Sequence, residues 1–273
     1  MLVISILNRD NVTLYTWTED EYRKGANEIA SAVYNTLQYT MLNENVKTVR
    51  LVADGCGAQN KNSIMVGMCS KWLTQAPHHI KTVELVFPIP GHSFIPPDQI
   101  FGLVEKEIKR METILKPAEY IEIFNKYGTV VLLNNVKDWK TALGNINRPT
   151  GNWHFQFNQC KRFFLKRNRS NDVYVRGEPN YNADIGSYKS VLKRGKTFID
   201  LNPDLVEKDK VAVKGDKIKD VDALLKKHFG DNWNSRDDLN FYKKVMLRAD
   251  NETEDCEDED VCKVAVPDTD LRI

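Results

Sequence analysis

Hydrophobic and polar positions in the first half of the chain follow two different periods. Short runs rich in β-branched and aromatic residues predict strands at residues 2–7, 12–17, 46–53, 82–87 and 128–133. Between these runs, apolar residues recur every three or four positions, which predicts helices at 18–42, 64–73 and 99–115. Strands separated by helices of this length favour an α/β fold with a mixed β-sheet, flanked by helices and opened by an N-terminal hairpin.

After residue 145 the pattern changes. Short β-type segments occur at 153–157, 163–166 and 173–176, with basic residues near or among them, and two short helices are predicted at 220–229 and 239–246. From residue 248 onward the composition predicts disorder. We therefore divide the chain into an α/β core over residues 1–145, a basic β-rich extension of that core over 146–200, a C-terminal helical segment over 201–248 and an acidic disordered tail over 249–273.

Charge is balanced over the 273 residues but unevenly distributed. The formal net charge is only +1. Residues 161–196 nevertheless contain ten Lys and Arg against three acids, whereas residues 250–260 contain eight acids and no base. A basic block suits a polyanion, which makes DNA the expected partner. The C-terminal helices and the acidic tail are candidate contacts for protein partners.

The cysteines and the absence of long apolar runs indicate the cellular compartment in which the protein is expected. The five cysteines include no C-x-x-C pair and no zinc-ligand spacing, so we expect free thiols in a reducing compartment: Cys56, Cys69, Cys160, Cys256 and Cys262. The apolar start MLVISIL is too short for a signal peptide, and no apolar stretch approaches the roughly 20 residues of a membrane span. We expect a soluble protein of the nucleus or cytoplasm with no membrane contact.

The first candidate for chemistry is Asp54, which ends a predicted strand and begins the loop D-G-C-G-A-Q-N-K-N. In open α/β sheets, ligands collect beyond the carboxyl ends of the strands. Gly55 and Gly57 remove side-chain bulk there, so a metal ion or a phosphate can approach the carboxylate. The alternative is that Asp54 caps the turn or the helix that follows.

A second candidate stretch follows the next strand. His92 lies in a loop and can serve as a metal ligand or a general base. Asp98 opens a helix and can bind a hard cation through oxygen. Glu105 lies two helical turns further on, about 10 Å away, so these two acids compete for one role. The alternative is that Asp98 is a first-turn acid and Glu105 a solvated one.

A third candidate is the block in which cations alternate with aromatic rings. Such an arrangement suits phosphates and unstacked bases, although a solvated edge strand has the same composition. The candidate nucleic-acid-binding residues are Lys161, Arg162, Lys166, Arg167, Arg169 and Arg176.

Several stretches together resemble one known family. They are TLYTWTEDEYRKGANEIASAVYNTL, LVADGCGAQNKNSIMVGM, the segment from Gly91 to Asp98 with IFGLVEKEIKR, KIKDVDALLKKHF and LNFYKKVML. The sequence resembles, over residues 1–247, a transposon-derived family of animal proteins known chiefly as a domain of unknown function. Members of that family look like the RNase H-like catalytic core of DDE-type transposases.

The resemblance implies a metal-dependent DNA nuclease or strand transferase, or an inactive remnant of one. RNase H-like nucleases hold two Mg²⁺ or Mn²⁺ ions about 4 Å apart between carboxylates. On this template Asp54 is the second acid, Asp98 or Glu105 is the third, and His92 is an accessory ligand or a contact to the scissile phosphate. The first acid of the family lies on a strand preceding the one at 2–7, and Asp10 falls in a turn. The alternative is a non-catalytic, domesticated protein that binds nucleic acid or other proteins.

Overall fold

A computed structural model describes residues 2–5, for which only the backbone is considered, and residues 12–89, 95–208 and 213–249. Within these ranges strands and helices alternate over most of the chain. The strands are β1 Leu2–Ser5, β2 Val12–Thr16, β3 Thr48–Val52, β4 Thr82–Val86, β5 Thr129–Leu132, β6 Arg162–Arg167 and β7 Val173–Glu178. The α-helices are α1 Ala26–Tyr39, α2 Ser63–Gln75, α3 Pro96–Ile108, α4 Pro117–Asn125, α5 Trp139–Ile146, α6 Gly215–Phe229 and α7 Asn240–Ala249.

The strands form two mixed sheets. Sheet A has the order β1-β2-β5, with β1 antiparallel and β5 parallel to β2. Sheet B has the order β3-β4-β6-β7, with β3 parallel to β4 and the remaining pairs antiparallel. The basic segment after residue 145 therefore adds two strands to the sheet that begins at β3. The division of the chain at residue 145 itself stays a prediction.

Helix α1 is shared by the two sheets. Ile29, Ala30 and Leu37 belong to the largest core cluster, which also includes α2, α5 and the inner face of sheet B. Ala32 belongs to a second cluster together with Tyr15 of β2. A helix that is apolar on two sides in this way holds the two sheets against one another.

The two faces of sheet B differ in character. The inner face is apolar and packs against α2, since residues such as Val83, Leu85 and Phe163 are buried in the main cluster. The outer face carries a row of side chains in register across all four strands: Arg50, Glu84, Phe164 and Arg176. This alternation is expected for strands with one face on a core and one towards solvent.

The C-terminal helices form a small cluster of their own. Leu225, Trp233 and Leu239 are buried there, and Leu115 from the segment after α3 packs against them. Lys217 of α6 pairs with Glu19, and Arg248 of α7 lies 3.6 Å from Asp20. Helices α6 and α7 therefore rest on the turn that precedes α1.

The α/β class, the mixed sheet flanked by helices and the N-terminal hairpin are confirmed. Two boundaries differ from those predicted. The helix expected at 18–42 begins only at Ala26, because Thr18 accepts backbone hydrogen bonds from Glu21 and Tyr22 in a turn. The helix expected at 99–115 ends at Ile108, and the unpredicted α4 starts at Pro117, a residue well suited to a first helical position.

Two further segments differ from the prediction. The strand expected at 153–157 is wrong, since residues 150–152 and 157–159 form 3₁₀ turns around Trp153. Helix α5 was not predicted at all, although Asp138 caps its first turn by accepting a hydrogen bond from the Thr141 amide at 3.1 Å. Both segments are short and aromatic, which makes strand and helix patterns difficult to separate.

Candidate functional site

Asp54 lies at the carboxyl end of β3, as expected, and its side chain is exposed. The Asn60 amide donates a short hydrogen bond to Asp54 Oδ1 across the loop. The helix cap is a different residue: Asn62 Oδ1 accepts from the Met65 amide at 2.9 Å and begins α2. The carboxylate thus closes the loop through Oδ1, and no described residue donates a hydrogen bond to Oδ2.

The loop after Asp54 is held by its own backbone. The amides of Gln59, Asn60 and Lys61 all donate to the Cys56 carbonyl, at 3.3, 2.8 and 2.9 Å. A side chain at Gly55 would meet no atom within 4 Å, so the space beside the loop is open. The positive end of the α2 dipole lies where this loop ends, which favours an anion nearby.

Two lysines lie at the same end of sheet B as Asp54, beyond the carboxyl ends of β3 and β4. The ladder continues one residue past the strands, since Ala53 N donates to Val86 O and Phe87 N donates to Lys161 O. Lys61 follows directly in the Asp54 loop, and its Nζ donates to the Asn158 carbonyl at 2.9 Å. Burial lowers the pKa of the Lys61 amine, and the positive charge of Lys161 lowers it further. A carboxylate and two amines therefore lie at the same end of sheet B.

The acids proposed as third ligands have other contacts. Asp98 Oδ2 accepts a hydrogen bond from the Ile95 amide at 3.2 Å, so Asp98 caps α3 from its first turn. Glu105 is exposed and pairs with Lys109 at 2.8 Å, and the hydrogen bond from Lys109 lowers the Glu105 pKa. Both contacts match the alternative given for these acids. His92 and Asp10 lie outside the described residues.

The described residues fit a divalent cation only in part. Within residues 12–89, 95–208 and 213–249, no group of three or more His, Cys, Asp or Glu is arranged to hold a metal ion. Mg²⁺ is, however, often held by one or two carboxylates together with substrate phosphates and water. Asp54, with one oxygen available beside open space, suits that kind of site. A complete two-metal ligand set is not formed by the described part of the chain.

Arg167 does not lie on the basic surface. Its parity along β6 is that of Phe163 and Leu165, so it points inward, and the residue is only 5% exposed. The guanidinium donates to the carbonyls of Leu73, Ala76, Pro77 and Ile80 at 2.5–2.8 Å. Arg167 therefore satisfies the carbonyls at the end of α2, and its donors are not available to a polyanion.

Arg162 and Arg176 lie on the outer face of sheet B but are paired within the protein. Asp184 bridges them, at 2.6 Å from Arg162 Nη2 and 3.0 Å from Arg176 Nη2. The hydrogen bond from Arg162 lowers the Asp184 pKa. Glu178, fully buried, lies 3.2 Å from Arg176 Nε, and both guanidinium groups stack on Phe164.

The other three basic candidates are differently placed. Lys166 and Arg169 are exposed, and Lys166 Nζ lies 5.6 Å from the centre of the Tyr188 ring. Lys161 is half-buried, with Nζ 5.1 Å from the centre of the Tyr181 ring. The structure thus divides the basic block into one buried arginine, two arginines that are paired with acids of the protein, and three cations that a polyanion can reach.

Two residues of the candidate site were missed by the sequence prediction, namely Asn60 and Lys61. The signal for them was present, because amide and basic residues in a glycine-rich loop directly after a strand-end acid are placed to contact that acid or its ligand. The burial of Cys160 near Lys61 was not predicted either. This thiol is buried and interacts electrostatically with Lys61, and burial raises its pKa to about 11.

The described cysteines are free thiols, as expected: Cys56 is partly exposed, and Cys69 and Cys160 are buried. Cys256, Cys262 and the acidic run 250–260 lie outside the described residues. Among the described helices, none has both the length and the apolar character that a membrane span requires.

Comparison with known proteins places the chain in a family. Residues 3–176 match the family described as a domain of unknown function (DUF7869), which is more than half of the 273 residues. The chain therefore belongs to that family. A search of curated proteins and a search of solved structures returned no match.

Proposed function

We propose that this chain binds a nucleic-acid phosphodiester at the end of sheet B where β3 and β4 terminate, beside Asp54, Lys61 and Lys161. We further propose that it acts there as a divalent-cation-dependent nuclease or strand transferase of the RNase H-like, transposase-derived type. The observation that supports this proposal is the placement of one exposed carboxylate and two amines at the end of sheet B where β3 and β4 terminate. In α/β sheets this edge is the usual ligand position.

Each group at the edge has a role that follows from its chemistry. Lys61 and Lys161 neutralise phosphate oxygens, and the positive end of the α2 dipole adds to the field. Asp54 would hold a Mg²⁺ or Mn²⁺ ion through a carboxylate oxygen. Asn60 holds the Asp54 side chain in one orientation by its hydrogen bond. A bound cation at such a site stabilises the charge that develops on the phosphoryl oxygens.

The test compares the full chain with Asp54→Asn and with Glu105→Gln as the matched control. Both substitutions remove one carboxylate charge from an exposed position. Nicking of supercoiled DNA is measured with Mg²⁺, with Mn²⁺ and with EDTA, and Mn²⁺ binding is followed by electron paramagnetic resonance. We expect Asp54→Asn to lower nicking on the order of 100-fold, because a cation contributes several kcal/mol of charge stabilisation. Glu105→Gln should retain both the nicking activity and the Mn²⁺ binding of the full chain.

Three results would reject the catalytic proposal. The first is nicking that is equal in the full chain and Asp54→Asn, and the second is nicking that persists in EDTA. The third is the absence of nicking by the full chain together with Mn²⁺ binding that is equal in the full chain and Asp54→Asn. An Asp54→Asn protein that melts at the same temperature as the full chain is required for the comparison, and its exposed position makes that outcome expected.

A second candidate function is nucleic-acid binding without cleavage. It is favoured by the incomplete ligand set in the described part of the chain and by the exposed cations Lys166 and Arg169. Affinity should then fall steeply with salt and survive Asp54→Asn. Charge reversal of Lys161, Lys166 and Arg169 should abolish it. The matched control reverses Lys219, Lys227 and Lys244 on the C-terminal helices, which leaves the net charge identical. Equal affinity of the two triple variants would reject this function.

A further inference from the structure

We propose that the end of sheet B beside Asp54 takes a single strand of nucleic acid, with an unpaired base stacked on the ring of Tyr181 next to the phosphate that Lys161 contacts. The inference rests on the proposed function and adds to it the class of substrate, an unpaired strand in preference to a duplex. It also names the side chain that makes the distinction.

Tyr181 is held at the same end of sheet B as Asp54. Its hydroxyl donates to the Phe87 carbonyl at 2.7 Å, and Phe87 N donates to the Lys161 carbonyl at 2.9 Å. Phe87 is the first residue after β4, and β3 and β4 end beside one another because they pair in parallel register. The tyrosine therefore lies beyond the same strand ends as Asp54.

The ring of Tyr181 has one cation as a neighbour. Lys161 Nζ lies over the ring, 5.1 Å from its centre. In the part of the chain that the structure describes, Tyr181 contacts no second cation and no other aromatic ring, and it belongs to none of the four apolar clusters. The residue is only partly buried. One face of the ring thus carries an amine, and the apolar core does not cover the other.

Two rings on the outer face of sheet B are placed differently. Phe164 carries two guanidinium groups, at 5.0 and 4.4 Å from its centre. The Tyr188 ring has Lys166 Nζ at 5.6 Å and the Arg176 guanidinium at 4.8 Å. Each of these rings already has two cations as neighbours. Of the three, Tyr181 is therefore the ring that can accept a base.

The pairing of an amine with an available ring suits an unpaired nucleotide. Proteins hold single strands by cations that contact the phosphates and by aromatic rings on which the bases stack. The base needs a free face for this contact, whereas a base within a duplex must first leave the stack. Because Lys161 Nζ and the Tyr181 ring are neighbours, one nucleotide can contact both. A duplex can reach the amine through its phosphates but not the ring, so the ring favours the single strand.

The test compares the affinity of the full chain for two DNA probes of the same sequence. One is a labelled single strand of about 20 nucleotides, which exceeds one binding site, and the other is its duplex. Fluorescence anisotropy gives both dissociation constants in Ca²⁺, which replaces Mg²⁺ in order to keep the probes intact. Tyr181→Leu removes the ring, and Tyr181→Phe keeps the ring without its hydroxyl. Tyr174→Leu is the matched control, because Tyr174 is also partly buried and lies opposite a lysine, Lys166, on the neighbouring strand.

We expect the full chain to bind the single strand more tightly than the duplex. Tyr181→Leu should lower the affinity for the single strand on the order of 10-fold, through the loss of one stacked base, and change the affinity for the duplex less than about twofold. Tyr181→Phe and Tyr174→Leu should keep the preference of the full chain. An equal loss for both probes in Tyr181→Leu would show that the ring only positions Lys161 and would overturn the inference. A full chain without preference, or an equal loss of preference in Tyr174→Leu, would overturn it as well.

A crosslink locates the stacked base without any substitution. A single strand in which 5-iodouracil replaces thymine is irradiated in complex with the full chain, and the adduct is located by mass spectrometry. We expect the adduct on Tyr181, which fragmentation distinguishes from Tyr188 within the tryptic peptide 177–189. An adduct on Tyr174 or Tyr188, with none on Tyr181, would contradict the inference.

Lys161→Gln separates this inference from the proposed function. It should weaken the binding of both probes, because the amine contacts phosphate in either of them. Unchanged affinity for both probes in Lys161→Gln would reject the proposed function, and the inference with it. Binding that depends on Lys161, with the single-strand preference retained in Tyr181→Leu, would reject the inference alone.

Discussion

At the scale of single residues, arginines from one short basic block have different roles. Arg167 is buried against carbonyl groups, Arg162 and Arg176 share Asp184, and Arg169 is exposed. Composition alone assigns all of them to a polyanion surface. Strand parity separates Arg167 from the others, because residues two and four positions earlier, Leu165 and Phe163, point into the core. The sequence therefore contained the signal for one of these roles. The pairing of the other two depends on Asp184, in a loop whose position no local pattern predicts.

Replacing Arg167 should destabilise the protein without any direct effect on a ligand. Arg167→Ala removes a donor from the carbonyls of Leu73, Ala76, Pro77 and Ile80, of which Pro77 keeps a hydrogen bond from the Ile80 amide. Buried acceptors without partners cost about 1–3 kcal/mol each where water does not replace the donor, so we expect a loss of about 3 kcal/mol or more. Urea denaturation followed by circular dichroism measures it. Arg169→Ala is the matched control and should change the free energy of unfolding by less than about 0.5 kcal/mol. Equal midpoints for the two variants would contradict the structural role.

At the scale of elements, long periodic segments were predicted better than short ones. Strands β3 and β4 and helix α2 occur where the apolar pattern places them, since the apolar residues of each pack against the main core. Helix α5 and the turns around Trp153 were missed, because their aromatic residues serve a core formed by distant elements. At the candidate site, the position of Asp54 at a strand end followed from the sequence. Its hydrogen bond to Asn60 and the approach of Lys61 towards Lys161 depend on the fold of the loop and the order of the strands.

The contact between β7 and the segment before β6 gives a prediction at this scale. A Cβ at Gly177 would lie 2.5 Å from Cys160 Sγ and 2.6 Å from Phe155 Cδ2. Cys160 is buried and Phe155 packs edge-on against Trp153, so neither can move aside easily. Gly177→Ala should therefore cost about 1–3 kcal/mol, as overpacking usually does.

Thermal melting of Gly177→Ala measures this cost, and Gly144→Ala provides the control. An added Cβ at Gly144, within α5, meets no atom within 4 Å, so that substitution should be neutral or slightly stabilising through its helix propensity. A Gly177→Ala protein that melts at or above the temperature of the unsubstituted chain would show that the approach of Cys160 and Phe155 is looser than described.

At the scale of the whole molecule, the arrangement of parts is what the sequence predicted least. The α/β class follows from the alternation of periods, but the separation into two sheets that share α1 does not. Strand order depends on which edges meet in three dimensions, and each strand alone has the same local pattern in either sheet. The placement of the C-terminal helices is equally non-local. They rest on the acidic turn at 18–22. Lys217 and Glu19, which pair there, are more than 190 residues apart in the chain.

This last contact can be tested by exchanging its charges. Lys217→Glu and Glu19→Lys each place like charges together, so each should loosen the C-terminal helices, and the double variant should restore the attraction. Both side chains are about half exposed, so the pair contributes no more than about 1 kcal/mol. We therefore expect a few-fold faster cleavage after the lysines of α6 by trypsin in native buffer for Glu19→Lys, and a return to the original rate in the double variant. Lys217→Glu removes one of these trypsin sites, so its effect on α6 is measured by hydrogen exchange instead of by proteolysis. The difference should shrink as salt is raised, because exposed charges are screened. Additive effects of the two substitutions, with no recovery in the double variant, would show that this charge pair does not help to hold α6 in place.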